Sequence, residues 1–138
     1  MLDRILTALM LCGLAGGAMA APPKVPVFHS LSSQNDQVAE RVSFELKEGI
    51  RRSAAMSLTT DPKTALIKVF VVALPDAATM TTKYAITWVL NPPGNTSLDR
   101  FLTTSVATCG SAYVKDCAGQ LVAETDKQAS NWAFLLNK

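Results

Sequence analysis

From residue 66 to residue 74 the chain reads LIKVFVVAL, and both alternating sets of positions in that run are apolar. One set is Leu66, Phe70, Val72 and Leu74; the other is Ile67, Val69, Val71 and Ala73. A single charge, Lys68, interrupts the run, and Pro62 and Pro75 bound it. A strand reads this way when neither face meets water, so the pattern predicts the central strand of a sheet. Further on, Tyr84, Ile86, Trp88 and Leu90 alternate with Ala85, Thr87 and Val89, which predicts a strand from Lys83 to Leu90 with its heavy face on the core. A third strand, Arg100 to Cys109, sets Leu102, Thr104, Val106 and Thr108 against Phe101, Thr103, Ser105 and Ala107. Loops of this length between successive strands imply an antiparallel meander.

Two stretches carry the helical period instead. Val38, Val42, Leu46 and Ile50 recur every fourth residue while charged residues fill the positions between them. Ser33 and Asp36 resemble a capping box at its start, and Thr59-Thr60-Asp61-Pro62 ends that helix, since Pro62 cannot continue it. Ala118, Leu121, Val122, Thr125, Ala129, Trp132, Ala133 and Leu136 form the second stripe, with Asp116 available as its cap. Before the first helix, three prolines keep residues 21–26 extended, and Val27–Leu31 adds an edge strand. The expected fold is α+β: a three-stranded antiparallel meander, four-stranded if Val27–Leu31 pairs, packed with an N-terminal and a C-terminal amphipathic helix. Two helices cover either one side each or one side only. In the second case Ile67, Val69 and Val71, or their alternates, are left without cover.

The first twenty residues, MLDRILTALMLCGLAGGAMA, follow a different rule. Arg4 precedes an apolar centre from Ile5 to Leu14, and Ala18-Met19-Ala20 is a small-x-small site. This is the pattern of a secretory signal peptide cut after Ala20, leaving one domain over residues 21–138. The apolar centre is too short to span about 30 Å of hydrocarbon, so no membrane span is expected after cleavage. Leu11 before Cys12 argues against lipidation of that cysteine, since a small residue normally precedes a lipidated one. Cleavage leaves Cys109 and Cys117, and two cysteines in an exported chain are expected to form one disulfide, which stabilises by about 2.5 kcal/mol for so small a loop. The expected location is periplasmic or secreted.

Apolar residues make up 49% of the sequence and charged residues 17%, which fits a globular domain. The net charge of +2 comes from scattered lysines and arginines, so no nucleic-acid partner is expected. No catalytic constellation emerges. His29 is the single histidine, no GxSxG places a nucleophile, and no glycine-rich phosphate loop occurs. The cysteines lack further soft ligands nearby, so neither a metal nor a cofactor is expected. Two surfaces remain as binding candidates. One is the small and hydroxyl-bearing side of the sheet around Thr87 and Val89. The other is the loop Asn91–Asp99, where Asn91, Pro92, Pro93, Gly94 and Asn95 form a stiff tip and Asn95 also opens a glycosylation sequon.

These residues lead to an exported, non-enzymatic interaction module that binds a protein partner of the cell envelope, or a second copy of itself, through a sheet face or edge. The alternatives are a hydrolase inhibitor presenting Asn91–Asp99 and a carrier of a small apolar ligand. The element order resembles the small α/β modules of bacterial envelope assembly proteins, at the level of fold and without a shared motif.

Overall fold

The computed structural model describes residues 21–94 and 98–137. Residues 1–20, where the signal pattern falls, and residues 95–97 and 138 lie outside that description. Six principal elements follow in the order β1 (Val25–Ser33), α1 (Gln37–Arg52), β2 (Met56–Thr59), β3 (Ile67–Asp76), β4 (Thr81–Leu90) and β5 (Arg100–Gly110). A short turn of 3-10 helix, Ser111–Tyr113, then leads into α2 (Val114–Trp132), and a second one, Ala133–Asn137, follows it.

The sheet has five strands in the order β2-β1-β3-β4-β5 and is mixed. The expected meander is there: β3 pairs antiparallel with β4, and β4 with β5. The expectation of a purely antiparallel sheet of three or four strands is corrected at the other end. β1 lies inside the sheet, parallel to β2 on one side and to β3 on the other. The reason is the helix between β1 and β2. A 16-residue crossover carries the chain back to its starting level, and a strand reached by such a crossover pairs in parallel.

β2 exists because α1 stops earlier than Pro62 requires. The Ser53 N–H bonds to the Ile50 carbonyl at 3.2 Å, and the Ser53 hydroxyl accepts from the N–H groups of Ala55 and Met56. That turn sends Met56, which is fully buried, beside Val25. The start of α1 also differs from expectation. Asp36, rather than Ser33, is the N-cap, its carboxylate accepting from the Ala39 N–H at 3.0 Å. β3 runs on through Pro75 to Asp76, so the connection to β4 shrinks to a tight turn with Met80 at φ 50°.

Both helices lie on one side of the sheet. α1 buries Ala39, Val42, Leu46 and Ile50, and α2 buries Val114, Ala118, Leu121, Thr125 and Ala129. Beneath them stand Val27 of β1, Ile67, Val69 and Val71 of β3, and Ile86, Trp88 and Leu90 of β4, each no more than 5% exposed. At Gly49 the two helices come so close that a Cβ would collide with a Val122 methyl. The expected disulfide is present between Cys109, at the end of β5, and Cys117, in the first turn of α2. No described helix is long and apolar enough to cross a membrane.

Candidate functional site: the uncovered face of the sheet

With both helices on one side, the second apolar set of β3 has no cover among the described residues. Phe70 is 37% exposed, Val72 53% and Leu74 60%, while the intervening Val69, Val71 and Ala73 are buried. The register extends this row across the sheet. Val72 stands opposite Ala85, which stands opposite Val106; Phe70 stands opposite Thr87, which stands opposite Thr104. Val106 at 77% and Phe101 at 65% are among the most open large side chains of the described residues. Phe28 meets Phe70 edge-to-face at 6.3 Å, which continues the band onto β1. A contiguous row of exposed large apolar side chains on one face of a small domain is the kind of surface that marks docking sites.

Phe101 joins this face through an irregularity. Trp88 pairs with Thr103 but Val89 pairs with Phe101, so Leu102 is an extra residue and the alternation of β5 changes phase there. On the uncovered face the order along β5 is therefore Phe101, Thr104, Val106 and Thr108, whereas Thr103, Ser105 and Ala107 face the helix side. Regular alternation groups Leu102 with Thr104 and misplaces Phe101.

The charges on this face are neutralised within the molecule. Lys68 is 8% exposed, and its Nζ donates to both carboxylate oxygens of Asp99 at 2.8 and 2.9 Å. At the other end of the band, Lys83 lies 3.8 Å from Asp76. The middle of the band carries methyl groups, two phenyl rings and threonine hydroxyls. Thr87 and Thr104 sit 3.3 Å apart there, and Thr104 donates to the Ile86 carbonyl at 2.7 Å.

The structure separates the sequence candidates into two groups. Thr87 and Val89 belong to the uncovered face, beside Phe70 and Phe101. Asn91, Pro92, Pro93 and Gly94 lie at the end of β4, and Asn95 is outside the described residues. Asn91 is buried, and its side-chain amide donates to the carbonyls of Pro62, Lys63 and Ala65. Its side chain thus fastens the turn before β3 to the end of β4.

His29 also sits elsewhere than an edge. It lies on the helix side of β1, with its Nε2 3.5 Å from the Ser43 hydroxyl of α1. Burial, and secondarily the Lys47 cation, lowers its pKa from 6.5 to about 4, so the imidazole is neutral at physiological pH. Among the described residues, no carboxylate hydrogen-bonds this pair, and no group of three potential metal ligands occurs.

No protein-family model matches the chain, and no curated protein does. Solved structures do match in shape. TolB from Acinetobacter baumannii aligns with a TM-score of 0.55 and 9% identity over 83% of this chain. The chain spans only 29% of that protein's length, so the likeness is to part of it. A PelC dodecamer from Paraburkholderia phytofirmans aligns with a TM-score of 0.47 and 12% identity over 83% of this chain and 90% of that one. At 9% identity the likeness to that part of TolB concerns the fold alone.

Proposed function

We propose that this chain is an exported, non-enzymatic interaction module of the bacterial envelope, and that it binds a protein partner on the uncovered face of its sheet. One observation carries the reading: Phe70, Val72 and Leu74 point away from both helices, in a strand whose alternate residues Ile67, Val69, Val71 and Ala73 are buried. Nothing in folding the domain requires large apolar groups there, because a one-sided sheet is stable with a polar outer face. The neutralised charges favour an apolar partner surface over an acidic or basic one. The signal-like leader and the disulfide support an oxidising compartment outside the cytoplasm.

The test is a double substitution, Val72→Asp with Val106→Asp. Both positions are exposed, so the fold should survive with a stability change of about 1 kcal/mol or less. Crosslinking in intact cells should give a discrete adduct with the native chain and none with the variant. Adducts of equal yield from both would refute the reading. Amino-terminal sequencing of the purified protein should begin at Ala21.

A further inference from the structure

The uncovered face has relief. Phe70, Val72 and Leu74 of β3 form one ridge, and Phe101 and Val106 of β5 stand along the other side. Between them β4 presents only Ala85 and Thr87 at its middle. The Thr87 hydroxyl meets Thr104 at 3.3 Å, so the floor of this trough is methyl groups and one hydroxyl that already has a partner. Neighbouring strands lie about 4.8 Å apart, which sets the two ridges roughly 10 Å from each other. An α-helix with its side chains is about 10–12 Å across, so it touches both ridges while its stripe reaches the floor. An extended segment is about half as wide and meets one ridge at a time. A second copy of the domain, laid strand on strand, sets the trough over its own equivalent and leaves the space unfilled.

The two ends of the trough also differ in charge. At the Leu74 end, the Lys83 side chain is 66% exposed, against 31% for Asp76, which lies 3.8 Å away. At the other end the order is reversed. The Lys68 side chain is 10% exposed and that of its partner Asp99 is 44% exposed. Each pair is neutral in sum, yet the member that reaches solvent is a cation at one end and an anion at the other. A helix carries the complementary polarity, positive at its N-terminus and negative at its C-terminus. From Leu74, opposite Lys83, back to Lys68 the strand covers roughly 20 Å, the length of a helix of about 13 residues.

We infer that the trough over β4 takes one amphipathic helix of a protein partner, about 13 residues long, with its apolar stripe between the two ridges, its N-terminus beside Asp99 and its C-terminus beside Lys83. This rests on the reading that a protein partner docks on the uncovered face, and it names that partner's form and direction. The stripe requires apolar residues at the helical spacing i, i+3, i+4 and i+7. Bound there, the helix would give the second face of the sheet the kind of cover that α1 and α2 give the first.

The probe is a phage-displayed library of random sixteen-residue peptides, selected on the disulfide-bonded protein purified after export. Enriched peptides should repeat apolar residues at the helical spacing, bind one to one and gain helical circular dichroism on binding. A nitroxide on the peptide N-terminus should broaden the amide signals of residues 99–101, and one on its C-terminus those of residues 81–83. Ala85→Trp and Thr87→Trp fill the trough from its floor, at positions that solvent already reaches, and each should weaken binding at least tenfold. Lys83→Glu should lower affinity about two- to fivefold, an effect that about 0.5 M salt removes. An alternating period, no enrichment, reversed label positions or undiminished binding to both tryptophan variants overturns the inference. So does a stable dimer of the protein alone that protects the amides of residues 83–89. Alternating peptides that are lost on Val72→Asp would remove the helix and leave the face reading standing. Equal crosslinking of the native chain and the double aspartate variant would remove both.

Discussion

Trp88 Nε1 donates to Thr125 Oγ1 at 3.0 Å, and Thr125 donates onward to the Leu121 carbonyl at 2.7 Å. Both side chains are essentially without solvent contact. This one bond fixes the rotation of α2 over the sheet, because an indole N–H in a dry core must find an acceptor. Thr125→Val keeps the shape and removes the acceptor. The variant should lose about 1–3 kcal/mol in urea unfolding, with a shifted tryptophan emission maximum. An unchanged midpoint would mean that the indole has another partner.

Gly49 and Val122 govern the contact between the helices. Gly49→Ala gains about 1 kcal/mol of helix propensity but forces a methyl into the Val122 side chain. The overlap should prevail, for a net loss of about 1–2 kcal/mol. Combining it with Val122→Ala should recover most of that loss, which a thermal melt of the single and double variants would show.

His29 predicts a pH dependence. Its folded pKa of about 4 lies below the ordinary 6.5, so the unfolded chain takes up the proton first as pH falls. Stability is therefore full above about pH 6.5, declines between 6.5 and 4, and loses nothing more from this group below 4. The loss by pH 4.5 should be about 2 kcal/mol, allowing for the partial exposure of the ring. His29→Leu should flatten this window in unfolding titrations at pH 7.5, 5.5 and 4.5.

Removing the Cys109–Cys117 bond should cost about 2.5 kcal/mol, read as a lower denaturation midpoint of the double alanine variant. Because the bond ties the end of β5 to the start of α2, hydrogen exchange should rise first in residues 107–118.

Much of this architecture is legible in the sequence. The helical stripes, the meander and the disulfide follow from periodicity and cysteine count. β2 does not, since four residues, MSLT, hold too few alternations to reveal a period. The parallel pairing of β1 is equally hidden, because the crossover that dictates it is known only once α1 is seen to end at Arg52. At β3 the pattern states that both faces are apolar without stating which is covered. Ile67, Val69 and Val71 are indistinguishable from Phe70, Val72 and Leu74 until both helices are placed. Phe101 escapes for another reason: the bulge at Leu102 reverses the phase of β5.

The interior place of β1 bears on how the domain assembles. Val27 pairs with Ile67, forty positions later, whereas β3, β4 and β5 meet their neighbours across short connections. A chain emerging from its N-terminus exposes β1 first and gives it a β3 partner only after α1 and β2 have passed. The meander can form by local closure, while β1 must be threaded between β2 and β3 at a larger entropic cost. Docking of β1 thus completes the fold. Val27→Ala should speed unfolding far more than it slows refolding, with the reverse balance for Ile86→Val in the meander.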